Sequence, residues 1–110
     1  MERISEMEFI GNINFDDKLY QSCQIVVCGA GKMLPDLLNT LSQMGLLGRV
    51  VAICDNNYEF WGKKIDEIQI DSYERIIEQY LEADFIVYNR FSLEIYDQIQ
   101  KHVKKVHLIR

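Results

Sequence analysis

Apolar residues in this chain fall into two patterns: short runs with few polar breaks, and longer stretches that repeat every three to four positions. The runs are Ile25-Val26-Val27-Cys28, Val50-Val51-Ala52-Ile53, Ile68-Gln69-Ile70, Phe85-Ile86-Val87 and Val106-His107-Leu108-Ile109. Unbroken runs rich in β-branched residues predict strands buried on both faces, the habit of parallel sheets. The repeating stretches are Leu34, Leu37, Leu38, Leu41 and Met44, then Ile76, Ile77, Tyr80 and Leu81, then residues 93–103. Their spacing predicts helices with one apolar face.

Local signals set the boundaries. Strands are expected at residues 24–28, 49–54, 68–70, 85–88 and 106–109, and helices at 32–44, 73–81 and 93–103. Pro35 falls in the first turn of the first helix, where a missing N–H costs little. Gly45 and Gly48 flank its exit, as a helix C-terminus prefers. Asp71 with Glu74 reads as the start of the second helix, and Ser92 as the cap of the third. The order β-α-β-loop-β-α-β-α-β predicts an α/β fold, a three-layer sandwich with a five-stranded parallel sheet in the order 3-2-1-4-5. Residues 1–22 are mixed and polar, and read as a helical lead-in covering one edge or end of that sheet, with Asp16 or Asp17 as its cap. Residues 24–109 form the core. No linker, repeat or low-complexity tract divides the chain, so residues 1–110 read as a single domain.

Length and charge narrow the function classes. A domain of 110 residues buries roughly 65% of its unfolded surface and folds without staples. The net charge of −5 argues against nucleic acid or an anionic membrane surface as a partner, since both call for a basic surface. No apolar run approaches the ~20 residues of a membrane span, and the start, Met1-Glu2-Arg3-Ile4, lacks the apolar core of a signal peptide. The three cysteines, Cys23, Cys28 and Cys54, form no CxxC pair and have no histidine at metal-ligand spacing. They read as reduced thiols of a cytoplasmic protein with no metal site.

The candidate chemistry gathers where the glycines are. Gly29-Ala30-Gly31 joins the first strand to the first helix: Gly29 allows the sharp turn, and Gly31 lets a phosphate approach the amides of the helix start. The third glycine of a GxGxxG fingerprint would fall at Leu34, so a wider helix–strand separation is expected. Asp55, ending the second strand, either accepts hydrogen bonds from ribose hydroxyls or caps the turn through Asn56-Asn57. The predicted topology brings residues 29–32, 55–57 and 89–90 together at the carboxyl edge of the sheet, where ligands bind in open α/β sheets. Lys32 and Arg90 are the cations nearest that crevice, beside Asn89. Tyr58 and Trp61 either stack on a ligand ring or close over the core. His102 and His107 lie away from the glycine turn.

Several enzyme classes are absent from the pattern. Gly31-Lys32 is followed by Met33, so there is no P-loop, and neither a GxSxG elbow nor paired acidic residues after the first strand are present. No catalytic residue is assigned.

The run Ile25-Val-Val-Cys-Gly-Ala-Gly-Lys32, then Ile53-Cys-Asp-Asn-Asn57, then Trp61-Gly-Lys-Lys-Ile-Asp-Glu-Ile-Gln-Ile70 resembles a recurring bacterial Rossmann-like domain. That domain is appended to sugar acyltransferases, capsule and lipopolysaccharide glycosyltransferases, and sugar or FkbM-type methyltransferases. The likeness spans residues 24–109. It implies a non-catalytic nucleotide-binding module tied to polysaccharide synthesis, with NAD or a nucleotide-sugar as ligand. By position it implies Gly29, Gly31 and Lys32 around the phosphates, and Asp55 with Asn56 on ribose or sugar hydroxyls; Ala30, between the two glycines, is counted with the binding turn, and Asn89 and Arg90 with the crevice. It also implies a downstream catalytic domain as partner; a homo-oligomer is the alternative. The chain departs from the family at Leu34, often glycine there, and at Glu67-Ile68-Gln69-Ile70, commonly Gly-Ile-Pro-Val. The competing readings are a ligand-free docking or oligomerisation domain, and a fragment of an S-adenosylmethionine-dependent methyltransferase or an NAD-dependent sugar oxidoreductase. The oxidoreductase reading lacks a Tyr-xxx-Lys pair for proton transfer.

Overall fold

The first strand, β1 (Ile25–Cys28), sits at the centre of the sheet with all four side chains buried. The computed structural model describes residues 21–88 and 92–108. Because successive side chains in a strand point to opposite faces, β1 feeds two cores. Ile25 and Val27 join one of them, with Leu34, Leu37, Leu38 and Leu41 of α1 (Leu34–Gln43). Val26 and Cys28 join the other, with Tyr73 and Ile76 of α2 (Tyr73–Gln79) and Ile95 and Ile99 of α3 (Ser92–Ile99). Helices on both faces of one sheet make the three layers expected.

The remaining strands are β2 (Val50–Cys54), β3 (Lys64–Ile65), β4 (Ile68–Asp71), β5 (Asp84–Val87) and β6 (Lys105–Leu108), and the sheet order is β3-β4-β2-β1-β5-β6. The pairs β1–β2, β1–β5, β2–β4 and β5–β6 are parallel. Among the described residues, the expected count of five strands is corrected to six. The added strand, β3, runs antiparallel to β4 at the sheet edge, inside a segment expected to be loop. It is two exposed residues long, too short to leave an alternating pattern. Its turn, Asp66-Glu67, has both residues at positive φ, 50° and 70°, the geometry of a tight two-residue hairpin that ordinarily selects Asn-Gly. Sequence reading looks for glycine there and finds none.

The helix ends differ instructively. Pro35 stands in the first turn of α1, as expected. At the other end Gly45 takes φ 77°, its amide bonds to the Ser42 carbonyl, and the Leu46 amide reaches back to Leu41 at 2.8 Å. This doubly bonded, left-handed exit satisfies the last carbonyls and tucks Leu46 into the core. For α2 the expected cap shifts by one residue. Ser72, not Asp71, is the N-cap, its hydroxyl accepting from the Arg75 amide, while Asp71 remains the last residue of β4 and accepts from the Ser72 amide. The strand pairing to β2 holds Asp71 extended, which leaves the cap to the next hydroxyl-bearing residue. The lead-in expected at residues 1–22 lies outside the described residues, apart from Gln21 and Ser22.

Candidate functional site

Four segments converge at the carboxyl edge: the turn after β1, the loop after β2, the start of α2 and the outer face of α3. The turn begins with Gly29 at φ 104°, a left-handed conformation that side chains resist. Its amide donates to the Cys54 carbonyl at 2.7 Å, extending the β1–β2 ladder by one bond. The Leu34 amide closes on the Gly31 carbonyl at 3.1 Å and starts α1. Leu34, in place of a third glycine, is buried among the α1-side core residues. The amides of Gly31, Lys32 and Met33 find no acceptor among the described residues.

Asp55 ties the site together. One carboxylate oxygen, Oδ2, accepts from the Ala30 amide at 2.7 Å, and the other, Oδ1, from the Asn57 amide at 2.7 Å. Of the two roles open to it from sequence, the turn-capping one is present, and a cross-link to the glycine turn comes with it. Each oxygen keeps a further lone pair for a hydroxyl donor. The Asp55 carbonyl receives the Trp61 indole N–H at 2.7 Å. Trp61 and Tyr58 stand edge to face, ring centres 6.5 Å apart, and both are exposed. They do not close over the core; Phe60, between them in sequence, packs there instead. The Asn57 side chain caps the short 3-10 turn Tyr58–Phe60 by accepting from the Glu59 amide.

Two cavities flank Gly31. One, of about 520 Å³, lies toward α3 and is lined by Lys32, Met33, Asp55, Asn56, Ile95 and Gln98, among others. The second, of about 400 Å³, lies between α1 and the β3–β4 hairpin, against Pro35, Asn39, Ile65 and Asp66. Both volumes fall in the range of small-ligand sites. Gly31 lacks positive φ, and a Cβ placed on it would meet nothing within 4 Å. Neither conformation nor protein packing calls for glycine there.

Beneath the larger cavity lies a buried polar cluster. Cys28 and Cys54 are direct register partners on β1 and β2, and both pack with Tyr73 in the core on that face of the sheet. Burial pushes the Cys54 thiol far above its ordinary range, with the Cys28 thiol and the Asp55 and Asp71 charges adding to it. Burial raises the Tyr73 hydroxyl in the same way, helped by both thiols and by Asp55. Both groups therefore stay protonated at neutral pH and act as fixed dipoles rather than nucleophiles.

The structure thus brings together Gly29, Ala30, Gly31, Lys32, Asp55 and Asn56, as the topology predicted. Asn89 and Arg90 lie outside the described residues. Sequence reasoning missed Tyr73, Glu94, Ile95 and Gln98. The signal available for α3 was positional: Ile95 and Ile99 lie four apart facing the sheet, which leaves Glu94 and Gln98 on the flank turned toward the carboxyl edge. At the opposite edge, His107 Nε2 lies 2.8 Å from Asp84 Oδ1, remote from the glycine turn as expected. Among the described residues no helix is long and apolar enough to cross a membrane. No family model, curated protein or solved structure matches this chain.

Proposed function

We propose that the chain is a Rossmann-like nucleotide-binding module without catalytic groups of its own, taking a nucleotide-sugar or NAD-like ligand. The observation that carries this reading is Gly31. It is a glycine that the fold does not need, set between two cavities and beginning a run of three amides without acceptors among the described residues. Consecutive free N–H groups at a helix start favour an anion, and Lys32 stands exposed beside them. In this reading the phosphates lie over residues 31–33. A ribose or sugar hydroxyl donates to the spare lone pairs of Asp55, and the two halves of the ligand occupy the two cavities. The family resemblance adds the association with bacterial polysaccharide synthesis.

A second reading, a ligand-free docking domain, draws on Asp55. Its carboxylate already holds the Ala30 amide, so the turn carries its own anion. One experiment separates the two. Thermal shift against NAD, NADP, UDP-sugars, coenzyme A and S-adenosylmethionine at millimolar concentration registers a bound ligand by mass action, about 2.7 kcal/mol at a hundredfold excess over Kd. Gly31→Ala then reports on the site. Nothing obstructs the new methyl, so the free protein keeps its stability or gains about 0.5 kcal/mol, while the ligand shift is lost. No shift from any of the five ligand types rejects the binding reading in favour of docking.

A further inference from the structure

Among the described residues, the loop after β2 and helix α3 are joined across the larger cavity by one side-chain pair. Asn56 Nδ2 donates to Gln98 Oε1, and Gln98 Nε2 donates back to Asn56 Oδ1, both at 3.2 Å. Each amide thus presents a donor beside an acceptor, and each is satisfied by the other. Both bonds sit at the long end of the hydrogen-bond range and are exposed to water, so they are easily exchanged. The pair also separates two spaces: Gln98 lines both the cavity beside the glycine turn and a groove of about 530 Å³ between α2 and α3.

A ligand edge with a donor next to an acceptor can replace either amide, and the displaced amide, being exposed, pairs with water instead. Nucleobases have such edges: adenine through its 6-amino group and adjacent ring nitrogen, uracil through N3–H and a carbonyl. Asn and Gln read bases in this bidentate manner. Ile95 and Met33 line the same cavity and offer apolar surface to the ring faces. We propose that Asn56 and Gln98 form the base-reading element of the site, their mutual pair opening in exchange for a nucleobase edge. This rests on the nucleotide-binding reading above and specifies which end of the ligand faces α3.

The test measures binding of the full chain to AMP, UMP and ribose 5-phosphate by calorimetry, in the native protein and in Gln98→Leu and Asn56→Ala. The native protein is expected to bind AMP or UMP at least about tenfold tighter than ribose 5-phosphate, the discrimination one good bidentate contact supplies. Gln98→Leu should narrow that gap to within about threefold and leave ribose 5-phosphate affinity unchanged; Asn56→Ala should narrow it as well. The Asn56 and Gln98 side-chain amide resonances should move with the nucleotide and not with ribose 5-phosphate, a response that a purely structural strap does not give. Equal native affinity for nucleotide and ribose 5-phosphate, or a full gap retained in Gln98→Leu, overturns the base-reading role alone. Absence of binding by all three compounds overturns it together with the nucleotide-binding reading.

Discussion

Replacing Asp55 by Asn is the most informative single change in this fold. The carboxylate accepts two backbone N–H bonds, each 2.7 Å long, one from the glycine turn and one from its own loop. A hydrogen bond to a charged acceptor contributes about 1.5–3 kcal/mol net. Asparagine keeps one oxygen, and its amide nitrogen then faces the other N–H, donor against donor. Losing one such bond, discounted because Asp55 is only half-buried, costs about 2 kcal/mol. For a domain of this size the unfolding entropy is about 0.2 kcal/mol per degree, so the melting temperature should fall by roughly 8–10 °C. Urea unfolding followed by circular dichroism at pH 7 should show the midpoint falling with an unchanged slope. A melting temperature within about 2 °C of the native protein would refute the claim that Asp55 clamps the turn. The same result governs how ligand data are read: weaker binding in this variant is evidence for a hydroxyl contact only after the cost to the fold has been subtracted.

Two further outcomes follow from the geometry. Asp66 and Glu67 occupy left-handed positions in the β3–β4 turn, and Asn-Gly there should raise stability by about 1 kcal/mol, or some 4 °C, because relief of strain outweighs the added freedom of glycine when unfolded; a lower melting temperature would show that this turn is set by something other than local backbone preference. Stability should also fall in alkali. The Cys54 thiol and Tyr73 hydroxyl, ordinarily ionising at 9.0 and 10.0, are both raised in the folded chain, so their contribution is complete below those values. It is lost as pH climbs above them, about 1.4 kcal/mol per unit for each group. A urea midpoint that stays flat from pH 8 to pH 11 would contradict this, and Cys54→Ala should reduce the slope.

The large features were legible because they follow from periodicity. Four consecutive apolar residues at Ile25-Val26-Val27-Cys28 can only be buried on both sides, and that alone calls for a layer of helices above and below. The leucine stripe at 34, 37, 38 and 41 specified the face of α1 before any contact was known. What stayed hidden depends on geometry that periodicity does not carry. The β3–β4 hairpin is invisible because a two-residue edge strand has no pattern, and because its turn uses Asp-Glu where local chemistry favours Asn-Gly. The capping of α2 was misplaced by one residue because Asp71 and Ser72 are equally good caps, and only the pairing of β4 with β2 decides between them. Tyr73 and Gln98 joined the site through tertiary packing of two helices distant in sequence, and nothing local marks them.

Asp55 is the sharpest case, because both of its possible roles require the same residue at the same place. An acidic side chain after the second strand suits a ribose hydroxyl, and it suits two backbone amides equally well. Hydrogen-bond geometry separates the roles, and electrostatics then limits how a nucleotide can lie. A phosphate about 5 Å from the Asp55 carboxylate is opposed by roughly 3 kcal/mol at an effective dielectric of ~20, more than one extra amide contact returns. On the proposed nucleotide-binding reading, the phosphates are therefore driven away from Ala30 and toward Lys32 and the amides of residues 31–33. The hydroxyls, which gain from a carboxylate, take the place beside Asp55. A ligand with its charge at one end and its hydroxyls near the middle fits this arrangement, with its base beyond, toward Asn56 and Gln98. A compact polyanion such as inorganic pyrophosphate gains Lys32 and the same amides but has no ribose hydroxyl or base to set beside Asp55, so it should compete poorly for the site.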